Sequence, residues 1–303
     1  MTRDSSGLTV HAITDAGDLE MVQALRDRIR LIPTALDEWT RVARVAVKAN
    51  AEIGLDDDTT KWRNLSHSVT HQLNHAADAL RTLCVLIPAE GELRMPFVSH
   101  FPVARSALEA ASLAHWIVGP DDPRIRVERQ LRNAWREVSE ESALMSSIAS
   151  AMEKDSSLGT RAQVDLGRKQ TKIWKRKQVE QIRTAARAVG LDDPSESTWT
   201  VGFAEIVREA TVAIGLPGTY GETVWRELSA LSHPSMIRAT RSMHTEQMHD
   251  NGDGTLAVIM SSKVAAVKYS LEAAQLQFSA AVRTFGRRKI VPGDATRYHP
   301  TAL

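Results

Sequence analysis

Apolar residues recur at intervals of three and four along nearly the whole chain, and alternation with a period of two is almost absent. That spacing is the one-sided stripe of an amphipathic helix, not the half-buried face of a strand. Composition agrees. Of 303 residues, 39 are alanine and only 5% are aromatic, a mixture that favours helix. The pattern predicts an all-α fold, a multi-helix antiparallel bundle of eight or nine helices. It is expected to form a single helical domain over 17–286, with an N-terminal helical subdomain over 17–88 as a variant. Residues 1–16 read as a flexible tail, and 287–303 as a basic, extended one.

Prolines, glycines and small polar residues set the boundaries. Pro33 is expected to separate a helix over Asp18–Leu31 from one over Pro33–Ile53, since proline suits a first helical turn. Gly54 would end the second, and Asp56, Asp57 and Asp58 would cap a long third helix ending before Pro88. Further helices are expected over Val98–Val118, Pro123–Lys154, Arg161–Val189, Trp199–Ile214, Tyr220–Ser232 and Ser262–Phe285. Asp250–Gly254 is a strong turn signal between two modestly apolar runs, which admits one short β-hairpin near 240–260.

Several function classes drop out. The formal net charge is +1, too small for a nucleic-acid coat protein. The single cysteine, Cys84, allows neither an internal disulfide nor a cysteine-based zinc cluster. The longest apolar run, around Ala110–Val118, is about half of what a membrane-spanning helix needs, and the N-terminus has no apolar signal core. The expectation is a cytoplasmic protein away from membranes, with no cofactor implied. Asp250–Gly254 lacks the ligand spacing of a calcium loop. Gly215, Gly218 and Gly221 follow no strand and are not a dinucleotide loop.

Four groups of residues have chemical potential. Glu222, Arg226, Ser229 and His233 fall in one line on a predicted helix, with Val224, Leu228 and Leu231 opposite. Arg226 and His233, seven apart, differ by about 20° around the axis. Such a line is either a site or a solvated face in which Arg226 pairs with Glu222. An Arg, a six-residue gap and a His near the end of a late helix, in an all-helical chain, resembles the HEPN superfamily. The wider pattern, Arg105-Ser-Ala-Leu-Glu109 with His115-Trp116 and then Trp225 to His233, is similar to a group of uncharacterised bacterial helical proteins. It spans roughly Phe97–Ala281. The HEPN resemblance implies a dimeric helical bundle and a metal-independent endoribonuclease acting as a toxin or antiviral defence effector. His233 would then move the proton, Arg226 would stabilise charge on the phosphate, and Glu222 and Ser229 would support them. The alternative is a non-catalytic helical module that binds a protein partner or regulates one.

Arg105 and Glu109, four apart on a helix that is apolar nearly all round, read either as a buried ion pair fixing register or as a second lining of the Arg226–His233 site. His67, His71 and His75 form an i, i+4, i+8 row opposite an apolar stripe. Two such imidazoles can share a metal ion, but a third ligand would have to come from elsewhere, and a polar surface row explains them equally. Residues 161–188 carry a net +7, leaving −6 on the rest of the chain. Arg168, Lys172, Lys175, Arg176 and Arg183 approximate a helical stripe that suits RNA phosphates, as does the shorter run Arg126, Arg129, Arg132 and Arg136. A solvated face is the competing reading.

Overall fold

The structure, a computed structural model, describes residues 2–3, 9–10, 16–91, 93, 98–155, 157–195, 199–233, 235–238 and 243–291. Among these are nine helices of eight or more residues: α1 Ala16–Arg44, α2 Glu52–Thr59, α3 Leu65–Leu86, α4 His100–Val118, α5 Pro123–Lys154, α6 Arg161–Ala188, α7 Phe203–Ala213, α8 Gly218–Leu231 and α9 Val264–Arg288. The chain is an all-α multi-helix bundle with the expected hairpin. β3 (Met243–Asp250) and β4 (Leu256–Ser262) pair antiparallel from Met243↔Ser262 to Asp250↔Leu256, with one irregularity between Thr245 and Gln247. Of the N-terminal tail, β1 (Thr2–Arg3) pairs antiparallel with β2 (Thr9–Val10). The rest of it, and the end of the C-terminal tail from 292, lie outside the described residues.

The centre is built on α4, which packs equally extensively on α9 and on α3, with α1 against α9. Their sequences explain why. Ala104, Ala107, Ala111 and Ala114 give α4 a narrow profile, and Phe278 and Phe285 of α9 supply bulk. Fourteen of the 19 residues of α4 are buried, as befits a helix apolar nearly all round. The main core joins Leu25, Leu73 and Leu80 from before Pro88 to Phe101, Leu228 and Phe278 beyond it.

Four local expectations need correction. Pro33 does not split a helix but lies inside α1. It faces solvent, while Ile29, Ile32 and Ala35 are buried around it. Packing of that apolar stripe holds the helix together across the missing N–H. Gly54 sits inside α2 instead of ending a helix, and a Cβ there would lie 2.1 Å from the Lys48 carbonyl oxygen. Asp56–Asp58 are likewise helical, although Asp57 Oδ1 still accepts a hydrogen bond from the Ser66 amide at 2.8 Å in the first turn of α3. Trp199 precedes α7 and packs edge-on against Trp135 at 6.5 Å.

A charge cluster around the buried Arg126, Asp56 and Arg288 ties the helices together. Arg126, 1% exposed, donates to both Asp56 oxygens and to the Pro120 and Asp121 carbonyls. Arg288 bonds Glu52, the Asp121 carboxylate and the Gly119 carbonyl. Burial pushes the Asp56 carboxyl up from its ordinary range, against the opposing pull of Arg126.

Helices α5 and α6 form a hairpin with its own small core: Val127, Leu131, Ala134 and Val138 meet Ile182, Ala185, Ala186 and Trp199. Its ends follow the sequence closely. Asp122 caps α5 through the Arg124 amide, and Thr160 and Gln163 form a reciprocal capping box on α6. Beyond Val138 on α5 and before Ile182 on α6, only Ala149 and Val164 are buried. That length stands out as an arm.

Candidate functional site

Two regions bring chemistry-bearing residues together at the surface: the end of α8, and the outer face of the α5–α6 arm.

At the first, Gly221 brings α8 onto α7, since a Cβ there would meet Thr211 Oγ1 at 2.0 Å. Helix α8 ends at Leu231, and His233 lies just past it, exposed. His233 borders a cleft of about 450 Å³ between the start of α4, at Ser99 and Pro102, and the segment holding Met236 and Arg238. Arg226 and Ser229 do not line that cleft among the described residues. Arg226 is 64% exposed and binds Glu222 Oε1 through Nε at 2.9 Å and Nη2 at 2.7 Å. Glu222 also faces Arg208 at 3.8 Å. The line of polar residues thus divides: Glu222 and Arg226 pair, and His233 opens elsewhere. Among the described residues, the cation beside His233 in the cleft is Arg238, which no motif in the sequence singles out.

Arg105 and Glu109 pair at 2.8 Å on α4. Glu109 Oε1 also accepts the Trp225 indole N–H at 2.7 Å, and Arg105 lies 5.8 Å from the centre of that ring. These residues clamp α8 to α4 and do not line the His233 cleft among the described residues. His67, His71 and His75 are exposed on α3, and His75 Nε2 shares a 2.6 Å hydrogen bond with Ser106. Among the described residues, no three His, Cys, Asp or Glu side chains come together in a group that could hold a metal ion.

A cleft of about 630 Å³ beside α4 is bordered by His115, Trp116, Arg129, Arg208 and Glu209. Its polar groups largely serve one another. Glu209 accepts from the Trp116 indole N–H at 2.8 Å and from Arg129 at 2.7 Å, and Arg129 lies 4.8 Å from the centre of the Trp116 ring. Burial holds both His115 and Arg129 below their ordinary values; for His115 a hydrogen bond to Gln277 opposes the shift only in part. The sequence places His115 and Trp116 on a helix apolar nearly all round but cannot reveal that Arg129 and Glu209 meet Trp116 there.

The two arginine runs fare differently. Arg126, Arg129, Arg132 and Arg136 are each paired, with Asp56, Glu209, Glu128 and Glu140. That run is structural and not free for phosphate, because α5 turns it toward neighbouring carboxylates. On α6, Arg168 pairs with Glu153 and Arg187 with Glu180. Arg183 is half-buried, its Nε without a hydrogen-bond partner among the described residues. Lys169, Lys172, Lys175, Arg176 and Lys177 are exposed and have no carboxylate partner among the described residues. By helical angle, Lys169, Lys172 and Arg176 run along one side of the outward face, with Lys177 beyond the exposed Leu166 and Ile173 on the other.

No helix among the described residues is long and apolar enough to cross a membrane. Comparison with protein-family models, with curated proteins and with solved structures finds no match for this chain.

Proposed function

We propose that this protein is an RNA-binding helical module whose binding element is the arm formed by α5 and α6. One observation supports this above the rest: Lys169, Lys172, Lys175, Arg176 and Lys177 crowd one exposed stretch of helix without carboxylate partners among the described residues. A cation already held by a carboxylate gains little from phosphate, whereas an unpaired one releases counterions when it meets a polyanion. The test is binding of a labelled RNA over a salt series. Charge reversal of Lys169, Lys172 and Arg176 together is expected to weaken binding at every sequence. Unchanged affinity in that variant would overturn the reading.

A second reading, metal-independent RNA cleavage in a toxin or defence role, is favoured by the exposed His233 in a cleft beside Arg238. His233 would shuttle the proton, and Arg238, or Arg226 once released from Glu222, would meet the phosphate. Incubation with RNA in the presence of a chelator separates the two. Cleavage lost in His233→Ala and weakened in Arg226→Ala or Arg238→Ala supports catalysis. RNA that is bound but stays intact leaves the binding module. The homodimer implied by the resemblance is checked by sedimentation velocity on the same samples.

A further inference from the structure

We propose that the groove between α6 and the turn joining α2 to α3 is a site for single-stranded RNA, with bases against its apolar floor and phosphates on its rim. This rests on the RNA-binding reading and narrows it to one kind of strand. The groove holds about 700 Å³ and is floored by Trp62, Ile173, Ala185 and Ala188. Arg176 and Lys177 stand on its rim with no carboxylate partner among the described residues. Its other charges are already matched: Lys61 pairs with Asp58 at 2.9 Å and Glu180 with Arg187 at 2.9 Å. The groove therefore offers an aromatic ring and aliphatic surface beside two uncommitted cations.

That combination discriminates between nucleic-acid forms. A duplex keeps its bases stacked inside and presents only phosphate and sugar to a flat cationic face, so Trp62 and Ile173 would stay empty. A single strand has bases free to stack on an aromatic side chain, and backbone phosphates that reach cations alongside. The apolar track continues along the arm. Leu166 lies two helical turns from Ile173 on the same side, about 10 Å away, and is 55% exposed. Successive bases thus have successive surfaces to lie on. An uncharged ligand would gain nothing from Arg176 and Lys177, and a small inorganic anion nothing from the floor.

The experiment compares a labelled oligouridine with an RNA duplex of the same strand length, by fluorescence anisotropy at fixed salt. The proteins are the full chain, Trp62→Ala, Ile173→Ser and the charge-reversed Arg176→Glu/Lys177→Glu. The full chain is expected to prefer the single strand. Trp62→Ala is expected to lower single-strand affinity about tenfold, the effect of losing one stacked base, with the duplex unchanged. Because Trp62 also packs on the arm's core, Ile173→Ser serves as the second variant. Ile173 is 60% exposed, its loss leaves the fold intact, and it should reduce the same preference in the same direction. The double charge reversal weakens both RNAs. If the full chain binds single strand and duplex equally and neither Trp62→Ala nor Ile173→Ser alters the ratio, the groove proposal falls while the RNA-binding reading stands. If neither RNA binds, both fall.

Discussion

Arg126 is a charged side chain deeper in the protein than most of its leucines, and it is tolerated because every face of its guanidinium is met. Asp56 takes two of its hydrogen bonds and the Pro120 and Asp121 carbonyls two more. Removing one partner of such a cluster strands the other without water. Arg126→Ala is expected to cost about 3–5 kcal/mol, read from urea unfolding. Replacing Arg126 and Asp56 together by apolar residues of similar size should cost far less, because neither charge is then left alone. His115 gives a second prediction at this scale. Burial holds it below its ordinary value of 6.5 in the folded chain, so the folded state binds fewer protons than the unfolded one. The stability this contributes is present above that ordinary value and is lost as pH falls from there toward the folded value. Melting temperature should drop as pH is lowered from about 7 to 5.5, and His115→Gln should flatten that slope.

Helix α1 shows an element overruling a local rule. A proline inside a helix removes a hydrogen bond and crowds the preceding turn, at a cost of about 3 kcal/mol, yet the buried stripe through Ile29, Ile32 and Ala35 carries the helix across Pro33. Pro33→Ala, on the exposed side, should therefore stabilise the protein by about 1–3 kcal/mol, measured by thermal or urea melts. Periodicity and turn residues are local, so Pro123 announced the start of α5 and Asp250–Gly254 its hairpin. Pairing is not local. Asp56 meets Arg126 across 70 residues and Glu209 meets Arg129 across 80, and no spacing rule separates these neutralised arginines from the cations of α6 that have no carboxylate partner among the described residues. The same holds for the candidate site. Its histidine could be picked out from a motif, but its neighbour Arg238 depends on how the chain turns after α8.

At the scale of the whole molecule, a net charge of +1 conceals a separation between a slightly acidic body and a basic arm. RNA affinity should therefore fall steeply with salt. Each phosphate contact removed from a single strand should lower the slope of log affinity against log salt by about 0.7, so Lys169→Gln, Lys172→Gln and Arg176→Gln should act in steps. The arm's separate, smaller core has a further consequence, one of time. The amides of the distal arm are covered by few buried side chains, whereas α4 and α9 are enclosed on nearly all sides. Local opening takes its free energy from what is buried, so in deuterated water the arm should exchange its protons well before the body does. Bound RNA should slow that exchange in the arm and at the facing turn between α2 and α3, which makes the arm a part that can reshape itself around a strand while the rest of the body keeps its form.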